Sequence, residues 1–180
     1  PLHDALPICE RLRAEAQGLA ARPQQNELFL TEFVLGEVQA ISSWPEFLEF
    51  VQLLKPVYER QPAESNAMLQ WTERLAQCRE GMGQSEEALK LWRSLAEAAP
   101  WTVGWQTEYA RRLGQTGDYD GALAWLRQQL DRPIQRREYE EETLRSTMAD
   151  LYRTQGRWNH LLTFTTEWIA RQPQSQSYNS

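Results

Sequence analysis

The chain of 180 residues is long enough for one domain with a sizeable hydrophobic core. Its net charge of −6 and its pI near 5.1 argue against nucleic-acid binding, because a phosphate-backbone binder needs a basic stripe that releases counterions. No apolar run in the sequence approaches the ~18 residues of a membrane span. Cys9 and Cys78 are too few for a disulfide framework or a four-cysteine zinc site.

The N-terminal end combines a foreign-looking segment with a half repeat. Residues 1–8 resemble a translated sequencing adapter, and we expect them to be a non-native scar outside the fold. Residues 9–22 follow as one helix, with Leu12, Ala16 and Leu19 on a common face. Pro23 stops this helix, which is expected to be the second half of a unit that lacks its first helix.

Residues 26–62 are predicted to form a degenerate pair of helices. The first runs from Asn26 to Ile41 and is rich in large apolar residues, namely Leu28, Phe29, Phe33, Val34 and Val38. The second starts after Ser43, because Ser43 and Glu46 have the spacing of a capping box and proline is tolerated in a first helical turn. Pro56 is expected to end or kink this second helix.

The next stretch contains one pattern twice, displaced by 34 positions. The recurring residues are Trp71, Ala76, Gly83 and Ala88 in the first copy, and Trp105, Ala110, Gly117 and Ala122 in the second. The alanines predict a close crossing of two antiparallel helices, and each glycine predicts a left-handed turn between them. Ser85 and Asp118 are the expected N-caps of the second helices. Pro100 and Pro133 close the predicted repeats 69–100 and 103–133.

A third copy, residues 138–173, follows an insertion of five residues. Gly156 lies 39 positions after Gly117, five more than the period of the earlier copies. The acidic run 138–142 suits the positive end of a helix, so we predict a longer first helix here. The apolar residues expected inside are Leu144, Met148, Ala149 and Tyr152 on this helix, with Leu161, Phe164, Trp168 and Ile169 on its partner. Residues 174–180 are expected to begin a further, truncated repeat.

This order of aromatic, alanine, glycine, alanine and proline resembles the tetratricopeptide (TPR) repeat family, which has the same period of 34 residues. The resemblance covers residues 9–173. It implies an all-α fold, a right-handed α-solenoid of antiparallel helix pairs with about four repeats and incomplete ends. The repeats are divergent, since Trp71 lies four residues before Leu75 instead of three and Gln129 occupies a position where a small residue is usual.

The residues that could serve in catalysis or ligand binding are better explained by structural roles. The glutamates of 138–142 could pair for acid–base catalysis, but neither a nucleophile nor a histidine is placed beside them, and a solvated helix start is favoured. His160 is expected to be a surface or capping residue. Most tryptophans fall at core-facing or near-core positions, with Trp101 and Trp158 as the pair expected to be exposed. We predict no catalytic residue, no cofactor and no metal.

The resemblance also indicates where a partner would bind. In this family the first helices line a concave groove, so the side opposite the core is the implied contact surface, with a plain solvated face as the alternative. In the first clear repeat these residues are Gln70, Glu73, Arg74 and Gln77. In the two later repeats they are Thr107, Glu108, Arg111 and Gln115, followed by Thr143, Ser146, Thr147, Asp150 and Thr154.

Two functions fit the sequence. The first is a non-catalytic protein–protein interaction scaffold that binds a peptide or helix of a partner in the groove. The lysine- and asparagine-rich clamp of chaperone-tail binders is absent, which argues against that partner class. The alternative is a repeat segment of a larger enzyme or bacterial envelope-assembly factor whose activity lies elsewhere. Terminal repeats without polar caps also predict self-association.

Overall fold

A computed structural model describes residues 2–21, 27–62 and 65–171, and within these ranges the chain forms nine α-helices and no strand. The helices are α1 (Leu2–Ala21), α2 (Glu27–Ile41), α3 (Trp44–Glu59), α4 (Ala67–Gly81), α5 (Ser85–Ala98), α6 (Val103–Gln115), α7 (Tyr119–Asp131), α8 (Glu138–Thr154) and α9 (Trp158–Arg171). They divide into two compact units, Pro1–Leu95 and Ala96–Ser180, which we call unit 1 and unit 2.

The helix boundaries follow the local signals with three differences. α1 begins at Leu2 instead of Cys9, and so includes most of the segment expected to lie outside the fold. Pro56 does not end α3, which continues to Glu59, because the burial of Val57 and Tyr58 past the proline offsets one lost backbone hydrogen bond. Ser85 is the first residue of α5 and not its N-cap. Pro23 and residues 174–180 lie outside the described residues.

Other start and stop signals are confirmed. The Glu46 carboxylate accepts hydrogen bonds from the backbone N–H and the hydroxyl of Ser43, at 2.9 and 2.7 Å, where α3 starts. These bonds lower the pKa of Glu46. Asp118 caps α7 by accepting from the Gly121 N–H at 2.9 Å. α8, with 17 residues, is longer than α4 and α6, as the insertion predicted.

In unit 1, α3 packs against α1, α2 and α4 around one hydrophobic core. The fully buried side chains include Leu35, Phe47, Leu54 and Tyr58. Trp71 of α4 lies at the edge of this core, where its indole donates to the Val51 carbonyl at 2.9 Å. Burial raises the pKa of the Cys78 thiol to about 11, so this cysteine remains protonated at neutral pH.

In unit 2, α8 packs against α6, α7 and α9, and α6 packs against α7. Ala110 and Ala122 are completely buried in the core, as the 34-residue pattern predicted. Leu126, Leu144 and Met148 fill the space between the helices. The close pairing of α6 and α7 therefore rests on small residues at their crossing and large ones beyond it.

The three turn glycines adopt the predicted left-handed conformation, with φ of 75° at Gly83, 95° at Gly117 and 68° at Gly156. We expect Gly117→Ala to lower the free energy of unfolding by about 1–2 kcal/mol, because a Cβ is strained at positive φ. Urea denaturation followed by circular dichroism measures this change. As the control, Gly36→Ala lies in the interior of α2 with open space for a Cβ, and should instead stabilise by about 0.5–1 kcal/mol. Equal effects of both substitutions would contradict the turn assignment.

Candidate functional site

The predicted contact residues of α4 form one polar cleft in unit 1. Gln70, Glu73, Arg74 and Gln77 line a cleft of about 300 Å³ together with Glu32 of α2. We call these five residues the unit-1 face. Positions 70, 73, 74 and 77 follow the helical repeat, which explains why they share one side of α4. Glu32 was not predicted, because its contact with α4 depends on how α2 and α4 are brought together and not on local spacing.

Glu32 is held in place from two sides. Its carboxylate accepts from the Tyr58 hydroxyl at 2.6 Å and from the Arg74 guanidinium at 2.6 Å. Burial, and after it the hydrogen bond and negative charge of Glu32, raise the pKa of Tyr58, so the phenol stays protonated and donates. Burial lowers the pKa of Arg74, but the hydrogen bond and charge of Glu32, with smaller contributions from Tyr58 and Glu73, outweigh it and the net pKa is raised. The floor of the cleft is thus a fixed ion pair.

The predicted residues of α6 and α8 adjoin one another in unit 2. We call this set the unit-2 face; it consists of Thr107, Glu108, Arg111, Gln115, Thr143, Ser146, Thr147, Asp150 and Thr154. Arg111 connects the two helices, because its guanidinium lies 3.3 Å from Glu108 on α6 and 3.5 Å from the Thr147 hydroxyl on α8. Glu108 also pairs with Arg112 at 2.9 Å, and Asp150 pairs with Arg153 at 2.6 Å.

Two members of the unit-2 face do not have the exposure expected of them. Thr107 and Thr147 are only 2% and 0% exposed. Each hydroxyl donates to a carbonyl of its own helix, Thr107 to Gly104 at 2.9 Å and Thr147 to Thr143 at 2.9 Å. A threonine that returns its hydroxyl to the backbone turns an apolar methyl outward and packs like a small hydrophobic residue. The exposed residues of this face are Arg111, Gln115, Ser146, Asp150 and Thr154, and Glu108 and Thr143 are half-buried.

The other residues considered for catalysis or ligand binding lie in the positions that the sequence predicted. His160 is exposed, and its ring stacks on Tyr152 with centroids 6.1 Å apart. The glutamates of 138–142 lie at the start of α8, and Glu140 accepts from the Arg137 backbone N–H at 2.7 Å. Trp101 and Trp158 are exposed, whereas Trp92 is buried. Across residues 2–21, 27–62 and 65–171, no group of three His, Cys, Asp or Glu side chains is placed to hold a metal ion.

The prediction that Ile169 faces the core is wrong. Among the described helices α9 packs chiefly against α8, so the side of α9 that contains Ile169 is left exposed. Phe29 and Phe33 of α2 are 78% and 59% exposed, and Ile169 of α9 is 69% exposed. Val34 and Val38 face the core of unit 1 instead, which leaves the two phenylalanines on the other side of α2. None of the described helices combines the length and apolar content needed to cross a membrane.

Comparison with known proteins supports the fold. The chain is similar to a crystal structure of nearly identical TPR-like repeats from Podosopora anserina, of a protein assigned as a kinesin light chain. The TM-score is 0.54 at 21% sequence identity, and the alignment covers 93% of this chain and 98% of that one. No family model matches the sequence, and no curated protein matches it. The helices and this likeness define the class as an all-α helical repeat solenoid with TPR-like repeats.

Proposed function

We propose that this chain is a non-catalytic protein–protein interaction scaffold, and that a peptide or helix of a partner binds along the polar sides of its first helices. The observation that carries the proposal is the unit-1 face, where four residues predicted as partner contacts line one open cleft. Side chains of glutamine, glutamate and arginine can form hydrogen bonds with the backbone and side chains of a peptide, and such binding requires no catalysis. The TPR-like fold supports a protein partner, because stacked helix pairs offer extended binding surfaces.

A peptide display experiment tests this function. A library of random twelve-residue peptides is selected on the immobilised full chain, and the selected peptides are then measured by fluorescence anisotropy. For peptides that bind the unit-1 face, Gln70→Ala/Gln77→Ala should lower the affinity about tenfold. For peptides that bind the unit-2 face, Arg111→Ala/Gln115→Ala should lower the affinity by the same factor. Both double variants change only side chains that are exposed or half-buried.

The matched control removes two amides elsewhere. Gln17 on α1 and Gln128 on α7 are both exposed and belong to neither face. Gln17→Ala/Gln128→Ala should therefore leave the affinities unchanged. Peptides that bind the wild type and all three double variants equally would contradict the proposal, and so would a selection that yields no specific peptide.

Self-association is proposed as a second property of the scaffold. Its support is exposed apolar surface, on α2 at Phe29 and Phe33 and on α9 at Leu162 and Ile169. We expect the sedimentation coefficient of the full chain to rise with protein concentration. Phe29→Ser/Phe33→Ser should reduce that rise, since it removes apolar area without touching the core. A wild type that sediments as a monomer at every concentration would contradict this expectation.

A further inference from the structure

The unit-1 face contains a carboxylate, Glu73, that forms no ion pair of its own among the described residues, although its charge acts on the neighbouring Arg74. Arg74 forms an ion pair with Glu32 at 2.6 Å. It also donates a long hydrogen bond of 3.4 Å to the Gln77 amide oxygen. Glu73 lies in the same cleft and is half-buried. Within the described part of the chain, its side chain forms neither an ion pair nor a hydrogen bond. Arg74 is therefore the one positive charge among the residues that line the cleft, against the two carboxylates of Glu32 and Glu73, and the cleft keeps an excess of one negative charge.

Two amides flank this charge along α4. Gln70 and Gln77 are seven residues apart, which corresponds to about 10 Å along a helix axis. An extended peptide advances about 3.3 Å per residue, so three residues of a partner span the same distance. The Gln70 amide and the Gln77 NH₂ group make no hydrogen bond to any other described residue and can pair with backbone groups of such a segment.

We infer that the unit-1 face binds an extended segment of a partner protein through a lysine or arginine side chain placed against Glu73. An ammonium or guanidinium group supplies the charge-assisted donors that a free carboxylate accepts. An acidic side chain would be repelled by the excess negative charge of the cleft, and the net charge of −6 also favours a basic partner. This inference rests on the proposed scaffold function and specifies the chemistry of its ligand.

The unit-2 face does not offer the same charge. The Glu108 carboxylate there is shared between Arg111 at 3.3 Å and Arg112 at 2.9 Å, and Asp150 is paired with Arg153 at 2.6 Å. Each of these carboxylates already has an arginine partner, so a basic side chain of a ligand would meet less uncompensated negative charge here than at Glu73. The preference for a basic residue is thus assigned to the unit-1 face alone.

The test uses the peptides selected on the full chain and measures the role of charge at position 73. Selected sequences should be enriched in lysine or arginine at one position, and replacing that residue by glutamine should weaken binding about fivefold. Glu73→Gln should lower the affinity for the basic peptide by a similar factor. It should not lower the affinity for the peptide in which glutamine replaces the basic residue. Raising the salt concentration should reduce the difference between the two peptides.

The matched control is Glu86→Gln, which removes the same charge from an exposed position on α5. It should leave the affinity for the basic peptide unchanged, and circular dichroism should show that both variants are folded. Basic peptides that bind Glu73→Gln as tightly as the wild type would overturn the inference. Selected peptides without a basic residue would also overturn it, while leaving the scaffold function standing; failure to select any peptide would count against both.

Discussion

Leu126→Ala is expected to lower the free energy of unfolding by about 2–5 kcal/mol. Leu126 is completely buried on α7 and belongs to the core that α6, α7 and α8 share. Truncation to alanine removes apolar burial and leaves a cavity, because helices fixed at Ala110 and Ala122 cannot move closer to fill it. Urea denaturation followed by circular dichroism measures the loss.

The control for this prediction is another leucine truncated in the same unit. Leu162 on α9 is 67% exposed, so Leu162→Ala should stay within about 0.5 kcal/mol of the wild type. Two leucines of equal size would then differ only in burial. Equal losses at Leu126 and Leu162 would show that the core of unit 2 has been assigned to the wrong side of the helices.

Ala110→Leu is expected to destabilise the chain by about 1–3 kcal/mol, because it inserts a large side chain where α6 and α7 cross. Ala110 and Ala122 are both 0% exposed, so the added atoms can be accommodated only by moving a helix or by adopting poor rotamers. The measurement is again the midpoint and slope of urea denaturation.

A matched alanine lies on the outside of the same pair. Ala124 of α7 is exposed, so Ala124→Leu adds the same atoms at the surface and should be close to neutral. If Ala110→Leu were tolerated as well as Ala124→Leu, the close crossing that defines these repeats would not exist in solution.

The repeat architecture could be predicted because its signals are local and periodic. Glycine at the turns, alanine at the crossings and proline between units each have one conformational reason for their position, and Gly83, Gly117 and Gly156 all adopt positive φ. Pro56 does not end α3, which was one of its two predicted effects, and the reason is not local. The rule against proline in a helix concerns one residue, whereas burial of Val57 and Tyr58 depends on the packing of α3 in unit 1.

Side-chain environments away from the pattern were harder to predict. Ile169 was predicted to face the core but is exposed, and the sequence did not show that Phe29 and Phe33 lie outside, because periodicity alone does not say which side of a helix faces a neighbour. Gln129 is completely buried, and neither of its amide atoms has a hydrogen-bond partner among the described residues. Gly114 allows α6 to approach α8, since a Cβ there would lie 2.8 Å from Leu151 Cδ2.

The candidate site was only partly predictable. Helical spacing was sufficient to group Gln70, Glu73, Arg74 and Gln77 on one side of α4. It could not identify Glu32, which comes from another helix, nor show that Arg74 forms its ion pair with Glu32 and not with Glu73. Electrostatic pairing depends on distances between helices, and the repeat pattern contains no information about them.

The side-chain amide signals of the glutamines provide the most direct measurement of where a partner binds. In a ¹⁵N–¹H correlation spectrum of the full chain, titration with a selected basic peptide should shift the NH₂ signals of Gln70 and Gln77, and should leave those of Gln17 and Gln128 in place. We expect these shifts to be smaller in Glu73→Gln at the same subsaturating peptide concentration, because the variant binds the basic peptide about fivefold more weakly. Shifts at Gln17 or Gln128, with Gln70 and Gln77 unchanged, would contradict the assignment of the α4 cleft as the binding site.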